Sequence, residues 1–218
     1  GDLRVCPESA PDVLEALLPL VLHARPDRVL VLGLSGGVPL ETCLACPVQS
    51  VTCAEPDAVL ERLVRTKLAA GDRRDPFSDD RLTWRRLPPA LALLGSGQPF
   101  DVVISHPDRP VLAASEFTAE FYRRVAGRLE ADGVFCQRLE ATDLGPAPVE
   151  SIVATLGQVF GQVAIVDVQP GQLLLLATNS PGGLWRRGLP ARLQHAHVRR
   201  VLATIGWDWA RPLMLLTA

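Results

Sequence analysis

A glycine-rich segment and a carboxylate further along the chain are the first residues that could do chemistry. Gly33, Ser35 and Gly37 lie in "GLSGG", directly after the apolar run "RVLVL". Glycines between a strand and a helix let the backbone approach a ligand, and the helix N-terminus favours negative charge. Glu55 follows the next apolar run, where a carboxylate can accept hydrogen bonds from both ribose hydroxyls. We therefore predict that these four residues bind a nucleoside cofactor.

The same residues allow two other interpretations. Gly33 and Gly37 could merely form a tight turn, with Glu55 capping the next helix. "GLSGG" also satisfies the G-x-S-x-G pattern of a hydrolase nucleophile, which would make Ser35 the nucleophile. A hydrolase elbow is preceded by several strands and by a loop that supplies an oxyanion N–H, whereas only residues 1–27 precede this strand. The order of the chain therefore disfavours a hydrolase.

The cysteines indicate buried thiols. There are five of them, an odd number, at spacings that suggest no disulfide framework. Cys43 and Cys46 form a single C-x-x-C pair, but both lie in an apolar stretch where cysteine behaves as a small hydrophobic residue. We predict core cysteines, no metal site and a reducing, cytoplasmic location.

Composition excludes several classes of partner. The chain has 218 residues, 21% of them charged, and a net charge of −2. Such a balance provides no field that would attract nucleic acid or an anionic membrane. No apolar run reaches the ~18 residues needed to cross a bilayer, and the longest candidate, residues 13–23, carries Glu15. We expect one soluble domain over residues 1–218.

The apolar pattern predicts an α/β fold. Short strand-like runs alternate with helical patterns such as those of residues 56–71 and 115–133, which end at Gly71 and Gly133. Such alternation favours a mostly parallel sheet with helices on both faces. Only "QPG" separates the last two of seven strands, which permits an antiparallel hairpin and no crossover helix. The predicted strands are residues 28–33, 50–55, 81–86, 100–105, 133–139, 163–168 and 172–178.

The flanking segments complete this prediction. Residues 1–27 are expected to form an N-terminal helix and linker, and residues 180–218 a C-terminal loop and helix. Residues 71–81 and 180–190 have the composition of surface loops, and residues 194–206 that of a terminal helix. The architecture as a whole is that of a Rossmann-like methyltransferase fold.

One long segment carries a family resemblance. Residues 100–139 contain "FDVVIS", the block "TAEFY" and the strand "DGVFCQ", and the earlier runs "RVLVLGLSGGV" and "VTCAEPD" fit the same pattern. This combination resembles the spermidine synthase family, particularly its bacterial spermidine-synthase-like branch. The resemblance spans roughly residues 15 to 180. It implies a methyltransferase fold and an S-adenosylmethionine or decarboxylated S-adenosylmethionine cofactor.

The resemblance also implies an activity, from which this chain departs. Family members transfer an aminopropyl group from decarboxylated S-adenosylmethionine to a polyamine, and an aspartate in a D-S-S-D-P loop takes the proton of the amine. Here that loop reads His106-Pro107-Asp108-Arg109-Pro110. The resemblance therefore places His106 at the base and Arg109 where an acid would hold the cationic polyamine. Histidine is a competent base near neutral pH. Asp108 either substitutes for the lost acid or pairs with Arg109.

Three further departures follow from the same comparison. An aspartate that contacts adenine in the family is matched by Leu87 or Pro88, and the middle glycine of the turn is matched by Ser35. The β-hairpin region that precedes this domain in family enzymes is missing before the first strand. Either the region is absent or the chain is a domain of a longer protein.

Together these departures favour a degenerate family member without polyamine synthase activity. One alternative is a transferase that uses S-adenosylmethionine and a non-polyamine acceptor, with His106 as the base. Another is a non-catalytic interaction domain or homodimer, with residues 185–187 and 207–209 as a contact patch rich in Trp and Arg. Those tryptophans could instead fix the terminal helix to the sheet.

Overall fold

The apolar runs of the sequence pair into one sheet. The structure, a computed structural model, describes residues 10–69, 75–95, 97–107, 114–185 and 188–217. Within these residues the sheet has seven strands in the order β3-β2-β1-β4-β5-β7-β6. The strands are β1 (Arg28–Leu32), β2 (Ser50–Ala54), β3 (Leu82–Arg85), β4 (Phe100–Ser105), β5 (Leu129–Glu140), β6 (Gln162–Gln169) and β7 (Gln172–Thr178).

Strand directions agree with the sequence-based prediction. The pairs β1–β2, β1–β4, β2–β3 and β4–β5 are parallel, whereas β7 is antiparallel to both β5 and β6. The short "QPG" connection produces this hairpin, and Gly171 in it has a φ of 82°. The prediction of a Rossmann-like methyltransferase fold is confirmed.

Helices cover both faces of the sheet because successive strand residues point to opposite sides. In β1, for example, Val29 and Val31 enter one hydrophobic core, and Leu30 and Leu32 enter the other. The first core also receives apolar residues of α1, α2, α3 and the C-terminal helices, and the second those of α4, α5 and α6. The helices are α1 (Ala10–Leu22), α2 (Val38–Ala45), α3 (Ala58–Ala69), α4 (Pro89–Ala92), α5 (Ala119–Ala126), α6 (Pro146–Gly157), α7 (Leu189–Leu193), α8 (Ala196–Ala203) and α9 (Ala210–Thr217).

The boundary between α5 and β5 differs from the prediction. The helix ends at Ala126 with Gly127 as its C-cap, and β5 begins at Leu129, not at Gly133. Leu129 pairs with Phe100, and the register then shifts before Val134 pairs with Val102. A Cβ at Gly133 would lie 2.8 Å from Leu129 Cδ2, so this glycine accommodates the irregular strand and does not end the helix. Gly71, the predicted end of α3, lies outside the described residues.

The C-terminal region is more helical than predicted. The expected single helix over residues 194–206 is α8, and α7 and α9 flank it. Trp207 and Trp209 are partly buried against the first core, whereas Trp185 is 45% exposed. The tryptophans after α8 therefore pack on the domain, as one of the two interpretations expected. In the described part of the chain, no helix has the length and apolar character needed to span a membrane.

The four cysteines of the described residues are free and buried: Cys43, Cys46, Cys53 and Cys136. Burial raises the pKa of Cys46 to about 12 and raises that of the other three thiols as well. These protonated thiols are core residues, which confirms the prediction for Cys43 and Cys46. Cys6 lies outside the described residues.

Candidate functional site

The glycine turn follows β1 and leads into α2. Gly33, Ser35 and Gly37 have φ angles of 93°, 52° and 85°. A Cβ at Gly33 would lie 2.5 Å from the carbonyl oxygen of His106, and one at Gly37 would lie 2.8 Å from Val64 Cγ1. Glycine is required at both positions by backbone conformation and by the closeness of neighbouring atoms. Ser35 adopts a left-handed conformation that favours glycine.

Glu55 lies beside this turn, directly after β2. Its side chain is buried, and Oε2 accepts a hydrogen bond from the backbone N–H of Leu34 at 2.9 Å. Oε1 accepts from the backbone N–H of Asp57 at 2.8 Å. A carboxylate oxygen that accepts one N–H can also accept a second donor, so ribose hydroxyls are chemically suitable partners for Glu55.

Asp57, not Glu55, caps α3. Its Oδ1 accepts hydrogen bonds from the backbone N–H groups of Val59, at 2.7 Å, and Leu60, at 3.2 Å. The interpretation of Glu55 as the helix cap is therefore wrong. The Glu55 carboxylate instead connects the glycine turn to the segment that precedes α3.

His106 follows β4 and contacts the glycine turn through its backbone. Its N–H donates to the carbonyl oxygen of Leu32 at 2.8 Å, and its own carbonyl lies against Gly33. The structure thus places His106 next to the residues predicted to bind the cofactor. Asp108 and Arg109 lie outside the described residues, so the role of Asp108 stays a prediction.

The His106 ring contacts a buried acid on α1. Its Nδ1 lies 2.8 Å from Oε2 of Glu15, and the Glu15 side chain has no solvent exposure. Oxygen atoms of Asp12 and Glu15 and a ring nitrogen of His106 all lie within 4.8 Å of one another. Two carboxylates and an imidazole thus meet where α1 crosses the carboxyl end of β4.

Arg138 on β5 supplies positive charge to this group. Its guanidinium forms ion pairs with Asp12 and, at 2.9 Å, with Glu140, and it lies 3.9 Å from Oε2 of Glu15. Burial acts to lower the pKa of Arg138, but the nearby carboxylates outweigh it and raise that pKa. The guanidinium stays charged and compensates the acids around it.

A second polar network connects β4 and β5 with α5 and the segment before α5. The Tyr122 hydroxyl donates to Oε1 of Gln137 at 2.7 Å, and Nε2 of Gln137 donates to the carbonyl oxygen of Glu116 at 3.1 Å. Ser105 Oγ lies 3.2 Å from Oε2 of Glu116. Burial and the Glu116 charge raise the pKa of Tyr122, so its hydroxyl remains a donor. The network reaches Ser105, the residue that directly precedes His106.

Glu15 and Arg138 are site residues that were not predicted from the sequence. For Glu15 there is a signal, since an acid within the apolar run of residues 13–23 indicates a buried partner. Arg138 alternates with buried residues in β5, and nothing in the sequence indicates that it faces α1. The predicted departure at the adenine position stays a prediction. Pro88 precedes α4 as its N-cap, and residues 82–95 contain no acid.

The sheet order, the glycine turn after β1 and the carboxylate after β2 define the class of Rossmann-like, methyltransferase-type folds. Residues 15–169 match the model of the spermine/spermidine synthase domain. The chain therefore belongs to the spermine/spermidine synthase family, which confirms the resemblance found in the sequence.

Individual relatives agree with this assignment. The polyamine aminopropyltransferase of Moorella thermoacetica is 30% identical over 184 residues, which are 81% of this chain and 60% of that protein. The chain thus spans less than two thirds of this curated relative.

Solved structures show the same fold. Spermidine synthase from Thermotoga maritima has a TM-score of 0.73 at 21% identity, over 97% of this chain and 76% of that chain. A spermidine synthase in complex with the transition state analogue AdoDATO gives 0.75 at 20% identity with the same coverage. Human methyltransferase-like protein 13 in complex with SAH gives 0.63 at 20% identity, over 93% of this chain and 94% of that chain.

Proposed function

We propose that this chain binds S-adenosylmethionine, or its decarboxylated form, and does not transfer an aminopropyl group to a polyamine. One observation carries the second part of the proposal: the carboxylates nearest His106 are paired within the protein, Glu15 with the His106 ring and Asp12 with Arg138.

The cofactor part rests on the geometry after β1 and β2. Gly33 and Gly37 bring the backbone close to the carboxyl end of the sheet, and Glu55 lies there with its carboxylate fixed by two backbone N–H groups. A carboxylate fixed in this way can accept ribose hydroxyls without reorganisation. Two structural neighbours with this fold are a spermidine synthase in complex with the transition state analogue AdoDATO and a methyltransferase-like protein in complex with SAH.

The charges around His106 argue against a polyamine acceptor. A polyamine is a polycation and needs carboxylates that are free to pair with it. Here Asp12 and Glu140 form ion pairs with Arg138, and Glu15 is hydrogen-bonded to His106. The guanidinium of Arg138 adds a like charge that a polyamine would have to approach. Among the described residues around His106, these three carboxylates are therefore already paired within the protein.

Calorimetry followed by a transfer assay tests both parts. Wild-type protein is titrated with S-adenosylmethionine, decarboxylated S-adenosylmethionine and methylthioadenosine, alongside Glu55→Ala and the control Glu120→Ala, which removes an exposed carboxylate on α5. We expect binding that Glu55→Ala weakens at least tenfold, a loss of about 1.4 kcal/mol, and that Glu120→Ala leaves unchanged. Absence of binding by all three compounds would refute the cofactor part.

The transfer assay mixes decarboxylated S-adenosylmethionine with putrescine and follows methylthioadenosine release. We expect no release above the rate without protein. Turnover that depends on His106 would refute the second part of the proposal, even if the cofactor binds as expected.

A further inference from the structure

Glu15 is an ionisable residue within the buried, mostly apolar part of α1. Its neighbours Leu14 and Ala16 are fully buried, as is Glu15 itself. Burying a carboxylate is unfavourable unless hydrogen bonds and opposite charge compensate it. Within the described residues Oε1 has no hydrogen-bond partner, whereas Oε2 lies 2.8 Å from Nδ1 of His106. His106 is thus the hydrogen-bonding partner of this acid.

The chemistry of the two groups fixes the direction of the hydrogen bond. An ionised carboxylate can only accept, so Nδ1 of His106 must carry the proton and donate it. In a neutral imidazole the other nitrogen, Nε2, then carries no proton and is the basic atom of the ring. Glu15 thereby selects one of the two tautomers that an isolated histidine would populate.

Arg138 supports this selection from the opposite side. Its guanidinium lies 3.9 Å from Oε2 of Glu15 and keeps positive charge next to the buried acid. Asp12 and Glu140 hold that guanidinium in place. Positive charge beside Oε2 favours the arrangement in which Glu15 accepts the hydrogen bond and His106 donates it.

We propose that Glu15 is a positioning residue that holds His106 in the Nδ1-protonated tautomer and makes Nε2 a proton-accepting atom at the carboxyl end of β4. This proposal rests on the proposed function in one respect: a bound cofactor would supply the reaction in which Nε2 accepts a proton. The His106 backbone lies beside the candidate cofactor site, because its carbonyl oxygen lies against Gly33 of the glycine turn.

The same three side chains could instead hold a divalent cation, since their ligand atoms lie within 4.8 Å of one another. The Arg138 guanidinium opposes this, because it is paired with Asp12 and would lie beside the ion. The hydrogen bond between Glu15 and His106 would also have to break. The geometry therefore favours the tautomer-selecting pair.

Nitrogen NMR of the full chain without ligand tests the inference. Long-range proton–nitrogen correlations of histidine labelled with ¹⁵N report which ring nitrogen is protonated, and the His106→Gln variant assigns the signals. In the neutral ring we expect a pyrrole-type nitrogen at Nδ1 and a pyridine-type nitrogen at Nε2. The Glu15→Leu variant should lower the preference for this tautomer at least about tenfold, as expected for loss of a hydrogen bond to a charged group.

The control is Glu120→Leu, which makes the same change at an exposed carboxylate on α5 and should leave the tautomer unchanged. A neutral His106 ring protonated at Nε2 in the wild type would overturn the inference. Because this result comes from the wild-type spectrum, it can be obtained even if Glu15→Leu fails to fold. Displacement of the Nδ1 proton by stoichiometric Zn²⁺ would overturn it in favour of a metal site. None of these readouts needs a cofactor, so failure of the proposed function would be seen separately.

Discussion

The carboxylate of Glu55 accepts the backbone N–H of Leu34 at 2.9 Å, and this contact joins the end of β2 to the glycine turn after β1. The bond is buried, where an N–H without an acceptor is costly. One side chain therefore both shapes the turn and forms part of the candidate cofactor site.

Replacing Glu55 should destabilise the fold as well as the site. Glu55→Ala leaves the buried N–H of Leu34 without its acceptor, at a cost of about 1–3 kcal/mol, and also removes the part-buried bond to Asp57, which costs less. Urea unfolding should show this loss of free energy. Glu55→Gln keeps a carbonyl acceptor for one of the two N–H groups and should lose less. Equal stability of wild type and Glu55→Ala would mean that the turn does not depend on this contact.

Adding a methyl group at Gly33 should strongly destabilise the folded protein, because of the backbone conformation at this position. In Gly33→Ala the new Cβ would meet the backbone oxygen of His106 at 2.5 Å, in a residue with a φ of 93°. Left-handed strain alone costs about 1–2 kcal/mol, and the backbone clash adds to it. Gly36→Ala is the matched control, because its Cβ would meet nothing closer than Lys67 Nζ at 4.0 Å. Thermal unfolding should separate the two variants, and similar midpoints would contradict the prediction.

Ser35 should respond in the opposite direction. Its φ of 52° is unfavourable for a residue with a Cβ. Ser35→Gly removes this strain and opens space beside the turn, so we expect equal or higher stability and tighter binding of S-adenosylmethionine or its decarboxylated form. Calorimetry measures the affinity. Weaker binding by Ser35→Gly would show that the hydroxyl contributes a contact.

The architecture could be predicted from the sequence because it depends on local patterns. The run "QPG" allows only a hairpin, and the alternation of strand and helix patterns gives the parallel strands. The start of β5 could not be predicted, because residues 129–132 have a helical composition and become a strand only by pairing beside β4.

The site was only partly predictable for a related reason. Gly33, Ser35, Gly37 and Glu55 follow strand ends, so sheet geometry alone brings them together. The contact between Glu15 and His106 joins residues 91 positions apart. It depends on how α1 is rotated against β4 and β5, and an apolar helix pattern leaves that rotation undetermined.

The hydroxyl of Tyr122 should contribute to stability more than an exposed hydroxyl does. Tyr122→Phe removes the buried bond to Gln137 and leaves Oε1 of that amide without this donor, at a cost of about 1–3 kcal/mol. Thr155→Val is the control, since its exposed hydroxyl bonds only to the Ser151 carbonyl within α6. Denaturant unfolding of both variants measures the difference. A smaller loss for Tyr122→Phe than for the control would contradict the buried network.

The ion pairs of Glu61 should make the stability of the folded protein depend on pH in acidic solution. Its oxygens accept hydrogen bonds from Nε of Arg86, at 2.9 Å, and of Arg65, at 3.0 Å. The Arg86 bond, with a further contribution from Arg65, lowers the pKa of Glu61 below its ordinary value of 4.5. A lowered pKa stabilises the folded state above the ordinary value, and this stabilisation is lost as the pH falls through the folded pKa.

The measurement is the free energy of unfolding of wild type and Glu61→Gln across this pH range. Above pH 4.5 the wild type should have the larger free energy of unfolding. The difference from Glu61→Gln should decrease as the solution becomes more acidic. Salt should reduce the advantage as well, because the two arginines are partly exposed to solvent. An advantage that stays constant with pH would show that Glu61 contributes through packing and not through its charge.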